Sequence, residues 1–107
     1  MLFKFKSKVT GDLIMLEPNG KRVLEIIGKD ASAQGIITPD QMPAAIAALE
    51  QAVLADEAER KAATEKAHAA GKPTPQFEAV SLRQRAVPFV EMLKRCQSEG
   101  KEIVWGV

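Results

Sequence analysis

One helical pattern, running from Pro39 to Ala69, constrains the fold of this chain more than any other feature. Thr38 is suited to cap its start, and Gln41 is placed to close a capping box. The apolar stripe of this helix ends at Leu54. Its large members are Met42, Ile46, Leu49 and Val53. Such a helix spans about 45 Å at about 1.5 Å per residue, whereas a domain of this size has a radius of gyration of about 13 Å. Its second half must therefore project, fray or pack against something else.

Residues 55–76 are expected to form a polar, alanine-rich helical extension followed by a proline-containing linker. The extension has high helix propensity but no large apolar side chain to anchor it. Its small residues form a seam that would let a partner helix approach: Ala55, Ala58, Ala62 and Ala69. Because methyl groups bury little apolar area, we favour an exposed helix without a partner. After the linker, Phe77 and Val80 are expected to tie the chain back to the core.

The opening residues, 2–9, alternate in the manner of a half-buried strand. The apolar side carries Phe3, Phe5 and Val9, and the other side carries Lys4, Lys6 and Lys8. Gly11 permits a tight turn with a positive φ, so residues 13–16 are predicted to return as the second strand of a hairpin. Their continuous apolar character indicates cover on both faces of that strand, or else argues against a strand there.

Turn residues organise the segment between the hairpin and the long helix. Residues 17–20, Glu-Pro-Asn-Gly, are the clearest turn pattern in the chain. Residues 21–28 then fit a short helix that Gly28 would cap, or a strand, because several of them are β-branched. Residues 29–35 are expected to form a polar loop.

A second capping box, formed by Ser81 and Gln84, starts the last helix. Pro88 is expected to kink or split this helix, and Gly100 suits its C-terminal cap. Its apolar stripe comprises Leu82, Ala86, Phe89, Leu93 and Cys96. Residues 103–105 are predicted as a final strand, in which Trp105 belongs to the core rather than to a partner interface.

Together these elements predict an α+β fold in a single domain, residues 1–107. A small sheet, made of the N-terminal hairpin plus the C-terminal strand, is packed on one face by two to three helices. The long helix partly projects from this body. A chain of this length buries roughly two-thirds of the surface that it exposes when unfolded, so its stability requires neither a metal nor a disulfide.

Charge and cysteine content exclude several classes of protein. The formal net charge of +1 provides no strong field for nucleic acid or an anionic membrane. One cysteine cannot close an intramolecular disulfide, which suits a reducing compartment. No segment approaches the roughly 20 apolar residues of a membrane span. Lysines interrupt the apolar residues at the N-terminus, whereas a secretory signal has a continuous apolar stretch. We therefore expect a cytoplasmic protein without membrane association.

Candidate catalytic and metal-binding residues are sparse. His68, the single histidine, is expected to be an exposed helix residue, and Cys96 is expected to be a small buried hydrophobe. One His and one Cys do not make a tetrahedral zinc site, and the chain has no phosphate-binding loop or dinucleotide fingerprint. We predict no catalytic residue, no metal and no cofactor.

The best candidate for a binding surface is the lysine row of the first strand. Lys4, Lys6 and Lys8 would stand roughly 7 Å apart at about 3.3 Å per residue, and such a row can follow a phosphate backbone. Arg83 and Arg85 extend the row if the last helix lies near. We favour the competing interpretation, a solvated sheet face or a lysine-protected edge strand.

Three segments resemble a known family. They are the opening KFKSKVTGDLIML, the middle MPAAIAALE and the closing SLRQRAVPFVEMLKRCQSEGKEIVWGV. They are similar to the small proteobacterial proteins of the domain-of-unknown-function family 1840. The resemblance runs nearly end to end, is weakest over residues 55–76 and is most specific in the closing segment. It implies a free-standing bacterial protein and supplies no catalytic residues to transfer.

The sequence does not by itself reveal the function of the chain. We expect a non-enzymatic cytoplasmic module for protein interaction or regulation, because no catalytic constellation is visible and the helical extension exceeds what the core needs. The alternative is weak, sequence-independent nucleic-acid binding through Lys4, Lys6 and Lys8, and the third is an enzyme with no recognisable motif. We expect a protein partner rather than nucleic acid, and a monomer or weak homodimer.

Overall fold

The computed structural model describes residues 2–32, 34–75 and 81–106. The strands of this part of the chain are β1 (Leu2–Lys6), β2 (Leu13–Leu16), β3 (Gly35–Ile37) and β4 (Ile103–Trp105). Its helices are α1 (Glu17–Ile26), α2 (Met42–Ala69) and α3 (Leu82–Glu99), and a 3₁₀ turn over Pro39–Gln41 leads into α2. The α+β class that the sequence predicts is confirmed.

The strands form one antiparallel sheet in the order β2-β1-β4-β3. β1 pairs with β2, which places Phe3 opposite Met15, and with β4, which places Phe5 opposite Trp105. Opposed residues of antiparallel strands point to the same face. These pairs therefore collect the large apolar side chains on one inner face, which the helices cover.

β3 is an addition to the predicted sheet: its first residue, Gly35, ends the predicted polar loop of residues 29–35, and residues 36–37 belong to no predicted element. It contributes the buried Ile37 and pairs with β4 alone. Gly35 opens this strand directly against the ring of Trp105. A Cβ at position 35 would lie 2.8 Å from Trp105 Cε2 and nearer still to Cζ2 and Cη2, so the pairing requires a residue without a side chain.

The predicted turn over residues 17–20 is wrong, since these residues form the first turn of α1. Pro18 is tolerated there because the first N–H groups of a helix have no intrahelical acceptor. Gly20 lets α1 cross β1 closely: a Cβ there would lie 2.6 Å from Phe3 Cδ2. The choice between helix and strand after residue 20 is resolved as helix, which ends at Ile26 with Gly28 at φ 79°.

The hairpin is shorter and less covered than predicted. β1 ends at Lys6, so Lys8 lies in the connecting segment, and Gly11 does not have the predicted positive φ. Met15 of β2 is buried, whereas Ile14 is 53% and Leu16 is 62% exposed. The expectation of cover on both faces of β2 is therefore wrong, because the helices pack on one side of the sheet only.

Helices α2 and α3 carry the core stripes that the sequence predicts. The large stripe members that the sequence predicts on both helices are buried, whereas Leu54, at which the predicted stripe of α2 ends, is 57% exposed. α2 and α3 run antiparallel, because Arg83 at the start of α3 contacts Glu57 in the middle of α2, and α3 also contacts the 3₁₀ turn that precedes α2. The second half of α2 consequently extends beyond the start of α3. The protein measures 52 Å along its longest axis, with a radius of gyration of 15.9 Å, which confirms the projecting helix.

The predicted helix boundaries of α2 and α3 are largely confirmed. The Gln41 side-chain oxygen accepts from the Thr38 N–H at 3.1 Å. At the start of α3, the Ser81 N–H donates to Gln84 Oε1 at 2.9 Å, and the Gln84 N–H donates to Ser81 Oγ at 3.3 Å. Gly100 ends α3 at φ 67°. α3 is a single helix through Pro88, so it is not split there. Phe77 and Val80 lie outside the described residues.

None of the helices that the structure describes is both long and apolar enough to span a membrane.

Candidate functional site

The predicted basic residues do not share one surface. Lys4 and Lys6 lie on the outer face of the sheet, where Lys4 is opposite Ile14 of β2. Lys8 follows the end of β1 and is exposed. Arg83 and Arg85 lie on α3, which packs on the other side of the sheet. The extension of the lysine row by the two arginines is therefore not formed.

Arg83 is engaged within the protein. Its Nε and Nη2 atoms donate to the two carboxylate oxygens of Glu57, each at 2.7 Å. The side-chain hydrogen bond from Arg83 lowers the pKa of Glu57, and the same bond raises the pKa of Arg83. This bidentate salt bridge connects the start of α3 to the middle of α2, so Arg83 has a structural role.

The predicted small-residue seam faces away from the core. Ala55, Ala58, Ala62 and Ala69 are all exposed. Because successive residues are about 100° apart around a helix, the seam lies roughly opposite the buried stripe. The side of α2 nearer the core carries ionic contacts instead, where Asp56 pairs with Arg60 at 3.1 Å and with Arg22 of α1 at 3.7 Å.

The residues with catalytic or metal-binding chemistry are separately placed. His68 is exposed near the end of α2, with Nε2 3.1 Å from Thr74 Oγ1. Cys96 is fully buried, and its Sγ donates to Ser7 Oγ at 3.1 Å. Trp105 is buried as predicted, and its Nε1 donates to the Ser32 carbonyl at 3.0 Å. Over residues 2–32, 34–75 and 81–106, no three His, Cys, Asp or Glu side chains cluster to hold a metal ion.

A groove that the sequence does not predict runs between β2 and α3. One wall is the chain from Thr10 to Leu16, which includes the whole of β2, and the other is α3 from Gln84 to Arg95. Asn19 of α1 also lines the end beside Leu16 and Arg85. It consists of two cavities of about 440 and 300 Å³, which share Leu13 and Pro88 at their junction. We call this feature the β2–α3 groove.

Both ends of the β2–α3 groove contain a buried polar atom without a partner. Thr10 Oγ1 lies at one end and Arg85 Nε at the other, and neither has a hydrogen-bond partner. Arg85 is half-buried and makes no ion pair with any residue in the described part of the chain. Leaving such groups unpaired is costly, because burial removes water without supplying a replacement. Arg85 therefore gives the groove a positive charge that no described carboxylate pairs with.

The strand that borders the groove is an edge of the sheet. Among residues 2–32, 34–75 and 81–106, β2 has a strand neighbour, β1, on one side only. Its residues, Leu-Ile-Met-Leu, include no charge and no proline, the features that usually protect an edge strand from pairing. The opposite edge, β3, is only three residues long, and shortness is itself a protection. Of the two sheet edges in the described part of the chain, β2 is thus the longer, and it borders the groove.

Comparisons with known proteins identify a family. No curated protein and no solved structure matches the chain. The family described as "Domain of unknown function (DUF1840)" matches residues 1–105. That match covers all the strands and helices described above, including both walls of the β2–α3 groove. The chain therefore belongs to the DUF1840 family, as the resemblance of its opening, middle and closing segments implies.

Proposed function

We propose that this chain is a non-enzymatic protein-interaction module, and that a segment of a partner protein binds in its β2–α3 groove. The observation that carries the proposal is the groove itself, where an unpaired strand edge faces a helix and a buried polar atom at each end lacks a partner. A protein segment supplies main-chain donors and acceptors, apolar side chains and charge together. These are the groups that the groove leaves unmatched.

Several features support a protein partner over nucleic acid. Only Lys4 and Lys6 of the lysine row lie on β1, and exposed apolar side chains surround them, with Leu2 57% exposed. The aromatic side chains of the described residues are all buried, so none is available to stack on bases. Nucleic-acid binding through Lys4, Lys6 and Lys8 is the competing proposal, and it predicts a different surface and a steep dependence on salt.

Two further features support a non-enzymatic role in a reducing compartment. The thiol of Cys96 is buried and bonded to Ser7, and the ring of His68 lies on the projecting part of α2 beside Thr74. Neither residue lines the β2–α3 groove. A free buried thiol suits the cytoplasm, where thiols stay reduced.

Selection from a random peptide library tests the proposal. Peptides of about ten residues, long enough to pass the roughly 14 Å of β2, are displayed on phage, selected on the intact protein, synthesised and titrated into the ¹⁵N-labelled protein. We expect amide shift changes concentrated in residues 10–16 and 84–95. Single-stranded oligothymidine at low salt serves as the nucleic-acid probe.

A pair of adjacent variants provides the matched control. Pro88 is exposed at the centre of the groove, whereas Val87 is exposed on another side of α3. Pro88→Gln is expected to weaken peptide binding about tenfold or more by placing a longer side chain in the groove, and Val87→Gln to leave it unchanged. Failure to select any peptide, or shifts that appear outside the groove, would overturn the proposal. Salt-sensitive shifts at Lys4 and Lys6 with oligothymidine would support the nucleic-acid alternative.

A further inference from the structure

We infer that the bound segment is an extended, acidic peptide that joins the sheet as a fifth strand beside β2 and places a side-chain carboxylate against Arg85. This inference rests on the proposed function and specifies its binding mode and partner chemistry. It is carried by the edge of β2 that no described strand covers, by the wall that α3 provides and by Arg85, which forms no ion pair with a described residue.

The open edge of β2 defines the shape of the occupant. β1 uses one side of the β2 main chain, so alternate N–H and C=O groups of β2 point away from β1. An extended peptide satisfies these groups in the way that strand-adding peptides satisfy the edges of peptide-binding domains. A helix or a nucleic-acid strand cannot do so, because neither presents main-chain groups at the spacing of a β-strand. The four residues of β2 would pair with a segment of about the same length.

The inner wall of the groove accommodates side chains from such a strand. Leu13, Pro88 and Met92 line its central part and provide apolar contact. Side chains of a strand alternate between two faces. Every second residue of the added strand would therefore enter the groove towards α3, while the others would continue the outer face of the sheet beside the exposed Ile14.

The charge of the groove determines which peptides fit. Arg85, with its partnerless Nε, is the charged group of the cavity next to Leu16. The other cavity contains Asp12 and Glu91 together with Arg95. A carboxylate at the Arg85 end gains a charge-assisted hydrogen bond, whereas one at the other end meets two like charges and one opposite charge. We therefore expect one acidic residue, confined to the Arg85 end of the peptide.

The test of strand addition is main-chain chemistry. The selected peptides are resynthesised with single N-methyl groups, which remove one main-chain donor at a time. We expect methylation at alternate positions to abolish binding, and amides of β2 to become protected from hydrogen exchange when the unmethylated peptide binds. Amidation of the peptide C-terminus should have no effect if the carboxylate belongs to a side chain.

The test of the charge pair is a double-mutant cycle. Arg85→Gln is expected to weaken the acidic peptide about tenfold to a hundredfold, and to have no effect on a peptide whose acidic residue is replaced by its amide. Lys94→Gln, which removes a charge from the same helix outside the groove, is the control. Thermal unfolding of each variant checks that it is folded.

The outcomes distinguish this inference from the proposed function. Peptides that bind the groove but tolerate every N-methyl group and leave β2 amides unprotected would overturn strand addition while leaving protein binding intact. Equal loss of affinity in the two charge variants, or loss on amidation, would overturn the assignment of a side-chain carboxylate to Arg85. A complete absence of groove-binding peptides would overturn both proposals.

Discussion

Replacement of Gly35 by alanine tests the position of β3, a strand that the sequence does not predict. The new methyl carbon would lie 2.8 Å from Trp105 Cε2 and nearer to two further ring atoms, whereas carbon atoms in contact prefer about 3.5–4.0 Å. Either the indole ring or the β3 backbone must therefore move by about 1 Å or more. The ring has little freedom to move, because it is 1% exposed, packs 5.9 Å from the Phe5 ring, and donates to the Ser32 carbonyl.

The expected loss of stability follows from these contacts. Overpacking a core costs about 1–3 kcal/mol, and breaking the indole hydrogen bond adds about 1 kcal/mol. We expect Gly35→Ala to lower the free energy of unfolding by about 2–4 kcal/mol, which at a urea m-value of about 2 kcal/mol per molar moves the midpoint down by about 1–2 M. Because Trp105 is the only tryptophan, its fluorescence reports the transition directly.

The matched control is Gly11→Ala. Nothing lies within 4 Å of a Cβ built at Gly11, and its φ is not positive. This variant should therefore unfold at the same urea concentration as the wild type or slightly above it, because alanine restricts the unfolded chain. Equal midpoints for the two variants would refute the close approach of β3 to Trp105 and, with it, the register of β3 against β4.

Two further predictions concern the helices. Leu49→Ala is expected to lower the free energy of unfolding in urea by about 2–5 kcal/mol. Leu54→Ala, at a site that is 57% exposed on the same helix, should change it by less than about 0.5 kcal/mol. Similar losses of unfolding free energy in the two variants would contradict the packing of α2. The hydrogen bond from Arg83 holds the pKa of Glu57 below its usual range, so the stabilisation that it provides is complete above that range and is lost as the pH falls through the lowered pKa. Arg83→Gln should therefore make the urea midpoint less dependent on pH below about pH 5, and an unchanged dependence would exclude this role for the pair.

The parts of the fold that follow from the sequence are those with long periodic patterns. The stripes of α2 and α3 extend over several turns, and the capping residues Ser81 and Gln84 mark where α3 begins. Both signals are local, so they can be recognised in the sequence without tertiary information. β3 has neither: three residues are too few to establish alternation, and Gly35 gives no indication of a strand until Trp105 is seen beside it.

The start of α1 shows why turn chemistry misleads. The Pro18 and Gly20 pattern is common in turns, but each residue is also acceptable in the first turn of a helix. Tertiary contact makes the difference, because Gly20 is needed where α1 crosses Phe3. A pattern that two local structures share is resolved by packing, which the sequence alone does not display.

The β2–α3 groove was beyond sequence reasoning for a different reason. Its walls are far apart in the chain, with Arg85 on one wall 75 positions after Thr10 on the other (85 − 10), and no short motif connects them. The sequence did identify Arg85 as a candidate binding residue, but it placed that residue with the lysine row. Only the packing of α3 against the hairpin places Arg85 on the inner side of the sheet, where it forms no ion pair with a described residue.

The position of β4 between β1 and β3 affects how the chain can assemble during synthesis. β1 and β3 never touch each other in the sheet, so the hairpin and β3 remain separate pieces until residues 103–105 have left the ribosome. Phe5 then has to find Trp105, a partner 100 positions later in the chain (105 − 5). Such a distant closure is slow relative to local helix formation. Until residues 103–105 pair, therefore, the side of β1 that β4 covers in the finished sheet is open, and so is the side of β3 that faces β4, and a nascent chain that stalls before residue 103 exposes both.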